Sequence, residues 1–125
     1  MAELYADCPS MRMRYLFHLY RLHRRANKHS QAACCQLEMA NLAQAQMAER
    51  MRRGGSHEDQ EVTTGYWTEG FYLQCTELAA KLFDKDLRHE RAAWCYKQII
   101  EVLEHLQEEN AHALVRAHSK SVVLV

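Results

Sequence analysis

The sequence predicts an all-α domain of antiparallel helix pairs, stacked as an armadillo- or tetratricopeptide-like array of about five helices. Three observations carry that expectation. The chain has only 4 Gly and 1 Pro in 125 residues, whereas a sandwich of short strands needs a turn residue every ~8–12 positions. Apolar side chains recur at three- and four-residue spacing along most of its length, the period of a helix with one buried stripe. Hydrophobic residues make up 48% and charged residues 26% of the chain, which excludes disordered acidic tails and membrane proteins. At 14.7 kDa residues 1–125 make one helical domain, able to bury roughly two thirds of the unfolded surface.

Residues 1–6 read as the last turns of a helix. Pro9 and Ser10 punctuate the chain next, with Ser10 placed to accept from the open N–H groups of a turn starting at Met11. Met13, Leu16, Leu19, Tyr20 and His23 then form one stripe of a first helix that ends at Arg25. After the turn Ala26–His29, Ser30 is the expected cap of a second helix running through Cys34, Leu37, Ala40, Leu42, Ala43 and Met47 to about Arg53.

Gly54 to Thr64 shows no periodicity, so 53–66 reads as a solvated loop between two helix pairs. Thr68, followed by Glu69, caps a third helix with Phe71, Tyr72, Cys75, Leu78, Ala79, Leu82 and Phe83 on one broad face. A short loop at Asp84–Leu87 leads to a fourth helix, about His89–Gln107. Its expected core stripe is Ala92, Tyr96, Ile99, Leu103 and Leu106. A fifth helix is expected from about Asn110, stopping at Ser119–Ser121. The halves echo each other: Tyr15-Leu16 before Ala32-Ala33-x-Cys35 is similar to Tyr72-Leu73 before Ala92-Ala93-x-Cys95. Such echoes are the signature of stacked helix pairs.

Charge is divided along the chain. Sixteen Lys and Arg balance sixteen Asp and Glu, yet residues 1–53 carry +5 and residues 54–125 carry −5. The first helix holds Arg12, Arg14, Arg21, Arg24 and Arg25, with Lys28 just after it and no acid among them. Without interleaved exposed aromatics or a Gly-rich phosphate loop, this stripe reads as a solvated or internally neutralised face. Neither a specific nucleic-acid partner nor a membrane contact follows from it.

The reactive side chains make no recognisable site. Five Cys without a C-x-x-C pair, and no apolar run of signal-peptide length, imply a reducing compartment and a cytoplasmic protein. Adjacent Cys34 and Cys35 point ~100° apart on a helix, so Cys34, Cys35, Cys75 and Cys95 are expected as buried structural thiols. Glu109-x-x-His112 has the spacing of a di-iron helix but lacks its second copy. The reading is therefore no metal, no cofactor and no catalytic residue. Trp94 stands out, since it falls opposite the expected core stripe of its helix with Gln98 and Glu101. Those three are the candidate interface residues, toward the next helix pair or a second subunit.

Two long segments resemble the DOCK family of Rho GTPase exchange factors, specifically the N-terminal helical lobe of the DOCKER domain. The first is Arg12-Met13-Arg14-Tyr15-Leu16, Leu22-His23, Asn27, Gln31-Ala32-Ala33-Cys34-Cys35 and Ala40-x-Leu42. The second is Gly65-Tyr66-Trp67-Thr68-Glu69-Gly70, Leu78-Ala79-Ala80-x-Leu82-Phe83, Glu90-Arg91-Ala92 and Tyr96-Lys97. Gln31 stands where the family has Glu, and the loop 53–66 is short. The resemblance implies a partial DOCKER domain: a non-catalytic scaffold and dimerisation lobe of a guanine-nucleotide exchange factor in small-GTPase signalling. It also implies self-association through the helical lobe, with the Rho-family GTPase met only through lobes beyond this one. The alternative is a free-standing helical-repeat adaptor, which a 34-residue period would favour and these spacings do not keep.

Overall fold

The computed structural model describes residues 8–53 and 65–123, with side chains through residue 112. The helix expected over residues 1–6 and most of the 53–66 loop lie outside the described residues. The described chain is all helical, with no strand, in the order α1 (Pro9–Arg25), α2 (His29–Arg52), α3 (Glu69–Lys85) and α4 (His89–Val123). The count among these residues is four, because the expected fourth and fifth helices are one continuous α4. Asn110 and Ser119 lower helix propensity by only fractions of a kcal/mol each, and no Gly or Pro interrupts the hydrogen-bond ladder.

Helix starts follow local chemistry, with two departures from expectation. Pro9 is itself the first residue of α1, where its missing N–H has no helical partner to lose, and Ser10 makes no cap. Helix α2 starts after Lys28 without a side-chain cap. Ser30, the expected cap, lies inside the helix and donates its Oγ–H to Oδ2 of Asp86. Thr68 does cap α3, its Oγ1 accepting from the Phe71 N–H at 3.1 Å.

The two hairpin turns, Ala26–Lys28 and Asp86–Arg88, have the same construction. Asn27 (φ 57°) and Leu87 (φ 59°) both adopt the left-handed conformation. The next N–H reaches back over the helix end in each, Lys28 to the His23 carbonyl at 2.9 Å and Arg88 to the Phe83 carbonyl at 2.7 Å. This 6→1 bond satisfies a carbonyl that the helix leaves open. The turns are 60 residues apart, the same offset as Ala32-Ala33-x-Cys35 and Ala92-Ala93-x-Cys95.

Turns this short force antiparallel packing, and each helix backbone approaches only its chain neighbours: α1 on α2, α2 on α3, α3 on α4. The core has two parts. At the turn end, Ala32, Ala33, Ala79, Ala80 and Ala92 pack with Leu82, Phe83 and Cys95, small side chains that let helices lie close. At the other end the side chains are larger: Met13, Leu16, Met39, Leu42, Trp67 and Tyr72, with Phe17, Tyr66 and Phe71 at the margin.

The stripes expected for the first and third helices are buried or half-buried as the spacing requires. Two others are corrected. On α2, Ala40, Leu42 and Ala43 are buried and Leu37 and Met47 half-buried as expected, Cys35, Gln36 and Met39 join them, and Cys34 alone of the expected stripe is exposed. On α4, Ala92, Ile99 and Leu106 do turn toward α3, but Cys95 and Val102 join them in place of Tyr96 and Leu103. A helix that packs on one neighbour buries one narrow stripe. The periodicity of α4 is wider than that, leaving Tyr96, Ile100 (54% exposed) and Leu103 as an apolar ridge outside the core.

Candidate functional site

A groove lies between the C-terminal half of α2 and the middle of α4, with the start of α3 as its floor. Its volume is about 420 Å³, and its walls are Gln44, Met47, Ala48 and Met51 on one side and Gln98, Glu101, Val102 and His105 on the other. Tyr72 and Glu69 of α3 complete it. Met51 is 84% exposed at the mouth, an unbranched apolar side chain able to adapt to a partner surface. Glu69 and Glu101 make no ion pair among the described residues, so the rim is acidic over an apolar floor. His105 donates toward Glu109, Nε2 to Oε1 at 3.1 Å.

Of the three residues singled out from sequence, Gln98 and Glu101 are brought together in this groove. Trp94 lies on the same side of α4 one turn earlier, 52% exposed and outside the groove lining. Sequence reasoning missed Met47, Met51, Tyr72 and Val102. Met47 and Tyr72 belong to stripes that read as core, Met51 and Val102 to none, and only the packing of α2, α3 and α4 shows that these four face a gap.

The basic helix has a second feature. Arg14, His18 and Arg21 line a shallow pocket on the outer side of α1 together with Phe17 and Tyr66. The two rings are 6.0 Å apart, and Tyr66 also packs edge-on to Phe71 at 5.4 Å. The aromatic wall of this pocket is thus shared between Phe17 of α1 and Tyr66 of the segment entering α3. Among the described residues Arg12, Arg14, Arg21, Arg25 and Lys28 form no ion pair. Arg24 sits over the Tyr20 ring at 5.9 Å. By contrast, Arg52 and Arg53 of α2 both bind Glu49, at 2.6 and 3.1 Å. The hydrogen bond from Arg52 foremost holds the Glu49 carboxyl below its ordinary range.

The thiols separate into two classes. Cys35, Cys75 and Cys95 are buried, and desolvation raises their pKa, Cys35 to about 11 and Cys75 to about 12. Cys8 and Cys34 are exposed, so the expectation of a buried Cys34 is corrected: it is one residue out of phase with buried Cys35 on α2. No three His, Cys, Asp or Glu gather as a metal site among the described residues. None of their helices is long and apolar enough to cross a membrane.

Comparison with known families decides what this array is. The family model for DHR-2, Lobe A matches residues 1–124. The chain belongs to the DHR-2 lobe A family. It is therefore a helical lobe of the DOCKER domain of DOCK-type proteins, as the segments 12–42 and 65–97 imply. No curated protein and no solved structure matches it. The two-pair construction of this lobe A, with matching turns 60 residues apart, is the frame on which the groove and the basic face are set.

Proposed function

We propose that this lobe A is the non-catalytic scaffold and dimerisation element of a DOCK-type guanine-nucleotide exchange factor for Rho-family small GTPases, acting in the cytoplasm. The observation that carries the reading is the family match over residues 1–124. The architecture supports it. A linear array in which each helix backbone approaches only its chain neighbours extends as an armadillo-like stack, presenting outer faces to neighbouring lobes and to a second copy. In this reading the GTPase is engaged by other lobes, and self-association runs through the faces described above. The 60-residue offset of the two turns speaks for helix pairs of this lobe and against a 34-residue adaptor repeat.

Release of fluorescent GDP from a Rac-type GTPase tests the reading. With this chain added, release stays at the intrinsic rate. A dose-dependent acceleration by the 125-residue chain alone would place exchange within it and overturn the non-catalytic assignment. Sedimentation across protein concentration tests self-association separately.

A further inference from the structure

We propose that the pocket on the outer side of α1 docks a phosphotyrosine side chain of a partner protein, its phosphate held by Arg14, His18 and Arg21 and its ring lying against Phe17 and Tyr66. This goes beyond the scaffold reading and does not depend on self-association.

The cations are placed by the helix period. Arg14, His18 and Arg21 follow one another at four- and three-residue spacing, which keeps them within an arc of ~60° on the side of α1 away from buried Met13 and Leu16. Arg14 and Arg21 are two turns apart, roughly 10.5 Å along the axis, with His18 between them, so the two long side chains can close on one anion from either end. All three are exposed, no acid lies on the helix, and none of the three makes an ion pair among the described residues. Their donors are thus open to a group from another molecule.

The aromatic wall is fixed before any ligand arrives. Tyr66 packs against three rings, Phe17 at 6.0 Å, Trp67 at 6.1 Å and Phe71 at 5.4 Å, and Trp67 is itself buried in the core. A wall held this way loses little freedom on binding, which lowers the ordering cost that a flexible site carries.

The chemistry selects the ligand. A phosphate monoester carries about −1.5 to −2 charge at neutral pH and three acceptor oxygens, which matches two guanidinium groups and a ring N–H. A carboxylate brings one charge and two oxygens and leaves one arginine unused. The volume, about 330 Å³, has room for an aromatic ring beside the phosphate, and rings pack on one another edge-on or offset at ~4.5–7 Å. A membrane is the poorer fit, because an interfacial helix needs its apolar face free, and Met13 and Leu16 of α1 lie in the core. Exposed Met11 and Leu22 lie beyond the two ends of the cation row, one before Arg14 and one after Arg21, placed for apolar residues on either side of the phosphotyrosine.

Fluorescence anisotropy of a labelled peptide pool, mixed in sequence around a central phosphotyrosine, tests the site on the full chain. Binding should saturate, and the same pool with Tyr or phosphoserine at its centre should bind roughly tenfold more weakly or worse. Arg14→Gln/Arg21→Gln should reduce the affinity by roughly tenfold or more. Arg12→Gln/Lys28→Gln removes the same charge from exposed positions outside the pocket and should change it less than roughly twofold. Circular dichroism checks that each variant folds. Amide NMR shifts on titrating the wild type, which need no variant, should centre on Arg14, Phe17, His18, Arg21 and Tyr66. A pool that binds no better with phosphotyrosine than with Tyr overturns the proposal. So does equal binding of phosphoserine, which makes the rings irrelevant, or an equal loss in the Arg12→Gln/Lys28→Gln variant, which reduces the effect to net charge. It is overturned as well if inorganic phosphate displaces the pool at equal concentration, or if phosphatidylserine vesicles or a mixed-sequence oligonucleotide bind more tightly through Arg14 and Arg21. Self-association, read by sedimentation, is untouched by any of these outcomes.

Discussion

Ser30 at the start of α2 donates its hydroxyl to the carboxylate of Asp86 in the α3–α4 turn, a bond between residues 56 apart in sequence that links the two hairpin turns. The bond places both turns at one end of the array, over the alanine seam of Ala32, Ala33, Ala79 and Ala80. The same local chemistry has thus been used twice, side by side.

Leu87 occupies the left-handed position that Asn27 fills in the first turn, and it is 77% exposed, so it has little packing to lose. A branched side chain there costs ~1–2 kcal/mol that Gly or Asn avoids. Leu87→Gly should stabilise the chain by about 1 kcal/mol, and Asn27→Leu should destabilise it by a similar amount. Paired thermal melts check both, with shifts of a few degrees expected in opposite directions.

The alanine seam is filled to contact. Ala33 and Ala79 are fully buried between α2 and α3, so Ala79→Leu should force the helices apart. The expected loss is ~1–3 kcal/mol. Denaturant titration should show a lower midpoint at unchanged slope; an unchanged midpoint would mean the seam holds unfilled space.

Trp94 and Tyr96 both lie outside the core, whereas Phe83 is 1% exposed. Truncating Phe83 to Ala should cost ~3–5 kcal/mol. Trp94→Ala and Tyr96→Ala should each stay within ~1 kcal/mol of the parent. If Tyr96→Ala proves as costly as Phe83→Ala, the rotation of α4 described above is wrong.

Thiol labelling should separate two classes at neutral pH. Cys8 and Cys34 react readily, while Cys35, Cys75 and Cys95 react only after unfolding. The raised thiol pKa values also fix a pH dependence. The unfolded chain loses these protons near the ordinary value of 9.0, and the folded one holds them to about 11 at Cys35 and about 12 at Cys75. Above pH ~9 the folded state therefore binds more protons, and stability falls as pH rises toward 12. Melting temperature measured from neutral to alkaline pH should decline in that window. Cys75→Ala should blunt the decline.

Much of this fold is written in local sequence. The stripe Met13, Leu16, Tyr20 and the broad face from Phe71 to Phe83 bury as their spacing requires. Thr68 caps the helix it precedes, and segments 12–42 and 65–97 point to the family that the match confirms. These signals are local because turns, caps and stripes depend on side chains a few residues apart. What the sequence could not determine is how far each stripe is covered. Tyr96 and Leu103 repeat at core spacing, yet α4 is the last helix of the array and its backbone approaches α3 alone, so the packed stripe is Ala92, Cys95, Ile99, Val102 and Leu106. The groove, the pairing of Phe17 with Tyr66, and the exposed charge of Arg14 and Arg21 likewise arise where residues far apart in sequence meet or fail to meet. Burial is a property of neighbours, and helical periodicity specifies a face without specifying what stands against it.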